Sequence, residues 1–142
     1  MRLFALPLAA LAAVTLAACA STPAAQAPGK LAGTSWQADV VGGKSCSLPS
    51  TIEFVDEQRA AGSLGCNRFT ATYELKGTAL KFGPVASTRK MCAPELMSQE
   101  GEFSKVLEAT RSASRNGDTL SLMDANGKVL VKLTPEKMGS CN

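Results

Sequence analysis

Phe69-Thr70-Ala71-Thr72-Tyr73-Glu74-Leu75 alternates apolar with polar residues. In an extended chain successive side chains point to opposite faces, so Phe69, Ala71, Tyr73 and Leu75 share one face and the two threonines and Glu74 the other. The stretch predicts a half-buried strand. Working outward, Lys76-Gly77 turns the chain, and Leu80 and Phe82 begin a further strand that Gly83-Pro84 interrupts. Upstream, Ile52 and Phe54 mark an earlier strand, and Trp36, Ala38 and Val40 alternate with Gln37, Asp39 and Val41 in the first. Downstream, Asn116-Gly117 and Asn126-Gly127 bracket residues 119–123, and residues 128–133 follow, which reads as a hairpin meander. Only residues 94–110 read as a helix, with Pro94 near its first turn and Leu96, Phe103, Val106 and Leu107 on a common side. Gly101 is expected to weaken or split it. Strands, one helix, then strands predict a mostly β (α+β) fold: a small antiparallel sheet or barrel packed against an α-helix.

The N-terminus carries a separate message. Arg2 is a positive start, an apolar run extends to about Leu16, and Leu16-Ala17-Ala18-Cys19 closes it with small residues ending on a cysteine. Such a stretch reads as a bacterial lipoprotein signal peptide over residues 1–18. Cleavage leaves Cys19 as the lipidated first residue, with enough acyl chains for firm membrane anchoring. Ala20, in place of the aspartate associated with inner-membrane retention in enterobacteria, points to the outer membrane, with the domain in the periplasm. Residues 20–30 hold two prolines, small residues and no aromatic, so residues 19–30 are read as the lipidated cysteine and a flexible tether reaching on the order of 35 Å. Residues 31–142 form one domain, small enough to profit from covalent staples.

Charge excludes a function class. Removing residues 1–18 deletes Arg2 and no acid, leaving 14 basic residues against 12 acidic ones, a net charge of +2. Scattered basic residues with one Trp and one Tyr offer neither a cationic stripe nor a stacking platform for nucleic acid. With Cys19 assigned to lipid, Cys46, Cys66, Cys92 and Cys141 remain, an even number in a small exported domain. Two disulfides are expected, and the sequence leaves all three connectivities open. No pair is spaced C-x-x-C and the chain has no histidine, which argues against a zinc or thioredoxin-like site; no metal or cofactor is expected.

Two motifs carry a family resemblance: Gly65-Cys66-Asn67-Arg68-Phe69 and Thr88-Arg89-Lys90-Met91-Cys92-Ala93. With Leu31-Ala32-Gly33-Thr34-Ser35-Trp36, Ile52-Glu53-Phe54 and Glu100-Gly101-Glu102-Phe103 in the expected order, the domain resembles the META domain (HslJ-like) family over nearly its whole length. The resemblance implies a sheet or barrel on one helix, anchored in the envelope, with no established catalytic activity. Some members are associated with heat stress and with tolerance to novobiocin. It also implies that Cys66 pairs with Cys92, since both lie inside the shared motifs, and by subtraction Cys46 with Cys141. In the chain-entropy treatment such bridges contribute about 3.5 and about 4.7 kcal/mol.

Gly65 and Asn67 flank Cys66 and both tolerate positive φ, so a tight bend presenting the cysteine explains them. If a functional surface exists, the resemblance places it at Asn67, Arg68, Arg89 and Lys90, where a Cys66–Cys92 bridge brings both motifs together. Catalytic candidates are weak by comparison. Ser87-Thr88-Arg89-Lys90 matches S-x-x-K, but no S-D-N or K-T-G element accompanies it. Gly43-Lys44-Ser45 lacks the first glycine of a phosphate loop and a following helix. Without histidine the Ser-His-Asp and Cys-His arrangements do not exist. Glu53, Asp56, Glu57, Glu100 and Glu102 read as solvated acids. The expectation is therefore a non-enzymatic envelope protein acting in stress or antibiotic tolerance, through an envelope protein or small ligand as partner. The alternative is a small lipoprotein inhibitor of lysozyme or another envelope-targeting enzyme.

Overall fold

In the computed structural model, which describes residues 26–41 and 44–136, the alternating stretch is strand β4 (Arg68–Lys76). Phe69, Ala71 and Tyr73 are buried and Arg68, Thr70, Thr72 and Glu74 exposed, as the period of two requires. The remaining strands are β1 (Thr34–Val41), β2 (Lys44–Phe54), β3 (Arg59–Ser63), β5 (Ala79–Phe82), β6 (Ala86–Ser87), β7 (Ser112–Asn116), β8 (Thr119–Met123) and β9 (Val129–Pro135). Helix α1 (Pro94–Ala109) lies between β6 and β7. Every pairing is antiparallel.

The strand order β3-β2-β1-β9-β8-β7-β5-β4 closes on itself, because β4 also pairs with β3 from Ser63↔Arg68 to Arg59↔Thr72. The sheet is therefore an eight-stranded barrel, with β6 as a ninth strand laid beside β4. Closure depends on β4 using both edges. Its odd-numbered groups face β3, as in Tyr73 N–H to the Gln58 carbonyl at 2.8 Å. Its even-numbered groups face β5 and then β6, as in Gly83 N–H to the Thr72 carbonyl at 2.9 Å and Thr88 N–H to the Arg68 carbonyl at 3.0 Å. Gly77, at φ +59°, opens the two-residue turn between β4 and β5, where a residue with a side chain is strained.

The barrel interior is filled by Trp36, Ile52, Phe54, Phe69, Tyr73, Leu80, Leu120, Leu122 and Leu133. Tyr73 sits edge-on to Phe54 with ring centroids 4.9 Å apart, and its hydroxyl donates to the Asp56 carbonyl. Burial raises the Tyr73 pKa above its ordinary value. Below it, the Asp56 carboxylate accepts from Gln58 N–H at 2.9 Å, Arg59 N–H at 2.8 Å and the Arg59 side chain at 2.6 Å. These bonds, the one from Gln58 first, hold its pKa below the ordinary value and fix the turn between β2 and β3.

Helix α1 touches β1 and β2 on one side of the ring and β5 on the other, so it crosses one end of the barrel. Phe103 and Leu107 are its fully buried residues. Burying two such side chains stabilises by about 2 kcal/mol each. The helix starts at Pro94, whose missing N–H costs nothing there, and ends at Thr110, whose hydroxyl donates to the Val106 carbonyl at 2.7 Å. Gly101 does not split it: the glycine faces solvent, and the helix is held by its neighbours' packing.

Part of the stretch read as a tether is fixed to the barrel. The Gln26 carbonyl accepts Arg115 N–H of β7 at 3.1 Å, and Pro28 is buried. Contact thus begins before Leu31, because an edge of β7 beyond β5 is open to a backbone partner. Residues 19–25 of the tether, the signal stretch and Cys141 lie outside the described residues, as does the side chain of Cys46. The expected Cys46–Cys141 bridge therefore falls there too.

Candidate functional site

Four residues connect β3 to β4, and the middle of that turn is where the two motifs meet. Gly65, at φ +141°, makes the bend that a residue with a side chain avoids, and Leu64 N–H closes it on the Asn67 carbonyl at 2.8 Å. Cys66 then reaches Cys92 in a disulfide with Cα atoms 6.1 Å apart. The bridge links the turn to the segment between β6 and α1.

Asn67 does more than tolerate a bend, and its φ is negative. Its side chain is buried, with 1% exposure, and every polar atom is bonded. Oδ1 accepts Lys90 N–H at 2.7 Å and the Thr88 hydroxyl at 2.8 Å. Nδ2 donates to the Lys90 carbonyl at 3.1 Å and to Glu100 Oε1 at 3.0 Å. Its backbone N–H donates to Glu100 Oε2 at 2.8 Å. One amide therefore substitutes for a strand partner to residues 88–90 while one carboxylate on α1 grips the amide from below. A buried amide with all four positions satisfied is rigid, since any movement leaves a desolvated group unpaired.

Asn67 is consequently not part of a binding surface, correcting the expectation that grouped it with Arg68, Arg89 and Lys90. Burial makes it the support of that surface. Arg68, Arg89 and Lys90 are exposed and form no ion pair among the described residues, whose salt bridges are Lys30–Glu57, Arg59–Asp56 and Lys105–Glu102. Met91, between them and Cys92, is 86% exposed. Beside Arg68 runs a shallow groove of about 310 Å³ on the outer face of the barrel, lined by Ala61, Phe69, Thr70, Ala86, Ser87 and Thr88 as well. The arrangement can hold an anion: a guanidinium and hydroxyls beside a small apolar floor, with two more cations at the adjoining loop.

The supporting shell contains residues that sequence reasoning passed over. Glu100 was read as a solvated acid and is half-buried under Asn67. Its position held the signal: Leu96, Glu100, Phe103 and Leu107 fall on one helical stripe, and a carboxylate on an apolar stripe needs a partner. Gln99 donates to the Leu48 carbonyl at 2.7 Å and the Ser50 hydroxyl at 3.0 Å, and Ser50 in turn donates to the Leu64 carbonyl at 2.9 Å. These bonds tie α1 and β2 to the same turn.

Comparison with solved structures finds two of this shape. One, described as an NMR structure of a protein, is 26% identical, with a TM-score of 0.60, covering 74% of this chain and 91% of that one. The other, an NMR structure of a protein from Burkholderia xenovorans, is 21% identical with a TM-score of 0.61, covering 93% of this chain and 99% of that one, and speaks for the fold alone. Comparison with curated proteins gives no match. The META domain family model matches residues 29–137, which spans both linked motifs and the helix carrying Glu100. The chain belongs to the META domain family.

Proposed function

We propose that this protein is anchored through a lipid on Cys19 in the bacterial outer membrane, with its domain in the periplasm, and that it serves stress or antibiotic tolerance by binding an acidic partner. The observation that supports binding is the cationic face formed by Arg68 at the start of β4 and by Arg89 and Lys90 on the adjoining loop, which a disulfide and a saturated asparagine both hold. Fixed geometry reduces the ordering cost of association, and unpaired cations supply attraction. A non-catalytic role agrees with a sequence that has no histidine to act as a near-neutral base. An envelope protein with an acidic patch, or a small anion, suits this face. Lysozyme, being basic, does not.

Crosslinking in intact cells tests the reading. The double variant Arg68→Ala, Arg89→Ala is expected to fold normally, because exposed charges contribute at most about 1 kcal/mol each, and to lose its crosslinked partner and its protective effect. Retention of both by a folded double variant sinks the proposal. The anchor is tested separately: Cys19→Ser is expected to abolish palmitate labelling, and unchanged labelling rules the anchor out.

A further inference from the structure

The barrel closes the edges of eight strands, but β6 stands outside the ring. Among the described residues it pairs with β4 alone, at Phe69↔Ser87 and Thr70↔Ala86. The even-numbered residues of β4 bond toward β6, and Thr88 N–H reaches the Arg68 carbonyl, so the residues bonded to β4 are Ala86 and, one past the end of β6, Thr88. In an antiparallel ladder the intervening residues aim their backbone groups the other way. The N–H and C=O groups of Val85 and Ser87 therefore face away from β4, and no described residue bonds to them. Ala86 and Ser87 are exposed and Val85 is half-buried against the core, so the edge meets solvent at Ala86 and Ser87.

An open edge is a template for one more strand, and native proteins usually blunt it. Here the edge is short and charged: Arg68 lies across from Thr88, and Arg89 and Lys90 follow in the loop just past β6. Those cations repel a second copy of the same edge. They attract a segment of opposite charge.

We propose that the edge of β6 takes an extended, acidic segment of a partner protein as an added strand, bonded to Val85 and Ser87 and flanked by Arg68, Arg89 and Lys90. The proposal rests on the basic-face reading above and specifies how that face is used. Main-chain bonds give the affinity and the cations choose the sign of the partner. Thr88 and Lys90, pinned by Asn67, hold the template straight before the partner arrives.

The probe is an acetylated, amidated eight-residue peptide alternating Val and Glu, with the Val–Lys peptide as its charge control. On titration into the folded domain the Val–Glu peptide is expected to slow amide hydrogen exchange at Val85 and Ser87 about tenfold or more, while the Val–Lys peptide does not bind. Ser87→Pro removes an outward N–H that the fold does not use, at an edge position where proline is tolerated. It is expected to weaken the peptide about tenfold. Should that variant misfold, the exchange measurement on the unaltered domain decides alone. Absence of binding at millimolar peptide, binding that leaves Val85 and Ser87 exchange unchanged, equal binding of the Val–Lys peptide, or self-association through this edge overturns the proposal. In cells, a folded Ser87→Pro that keeps the crosslinked partner, when Arg68→Ala, Arg89→Ala loses it, sinks strand addition and leaves the basic face standing.

Discussion

Glu100 Oε2 lies 2.8 Å from the backbone N–H of Asn67, thirty-three residues away in sequence, while its other oxygen takes the Asn67 side-chain amide at 3.0 Å. The carboxylate thus satisfies two donors at the floor of the linked loops. Glu100→Ala leaves the Asn67 backbone N–H and one of the two side-chain amide hydrogens without an acceptor, and the expected loss is about 2–4 kcal/mol in urea unfolding. Glu100→Gln, which keeps one acceptor oxygen, is expected to fall between the variant and the natural protein.

The disulfide and the asparagine constrain the same segment by independent means. Replacing Cys66 and Cys92 together with Ala is expected to cost about 3.5 kcal/mol of stability, through the freed unfolded chain, yet to leave the Lys90 amide protected in hydrogen exchange. Asn67→Ala with the bridge intact is expected to do the reverse locally, exposing the Lys90 amide. Loss of Lys90 protection in the cysteine variant would show that the bridge alone orders the loop.

Two glycines are expected to respond oppositely to alanine. At Gly101, mid-helix and exposed, an added Cβ meets nothing within 4 Å, so Gly101→Ala should raise stability by about 0.5–1 kcal/mol. At Gly62 in β3 the Cβ falls 2.0 Å from the Thr51 carbonyl oxygen, and Gly62→Ala should cost about 1–3 kcal/mol. Thermal unfolding of both variants checks the pair.

Two groups shape the pH dependence. The folded-state pKa of Asp56 is depressed below 3.8 by the turn it caps, so its contribution is complete above about pH 4 and disappears as pH falls through the depressed value. Asp56→Asn is expected to flatten the acid limb of the stability curve. Tyr73 is raised above 10.0 by burial, so the fold favours its protonated form and loses that contribution as pH rises through the raised value. Tyr73→Phe should flatten the alkaline limb, at the cost of the bond to the Asp56 carbonyl.

What the sequence made legible was what hydrophobic periodicity writes down. β4, β5, β8 and α1 carry large apolar residues at the right spacing, and their extents follow. β3 and β7 do not announce themselves, because their buried positions are Ala60, Gly62 and Ala113, too small to register as a pattern. Missing β3 left sheet and barrel undecided, since β3 is the strand that closes the ring onto β4. At the candidate site, the paired motifs pointed to the Cys66–Cys92 bridge and to Arg68, Arg89 and Lys90, which are exposed. The function of Asn67 was not, because residue type suggests a turn, whereas its partners come from a helix and a loop that only the folded chain brings near.

β1 and β9, the strands that begin and end the described barrel, meet at Trp36↔Pro135 and Gln37↔Thr134, and Glu136 N–H reaches the Ser35 carbonyl at 3.0 Å. A pull applied between Thr34 and Glu136 is therefore borne by neighbouring staves. β4 stands half-way round the ring from β9. The clasp made by Cys66 and Cys92 lies off the line of that load. Mechanical tension on the ends can open the barrel at one seam while the loops opposite keep their shape.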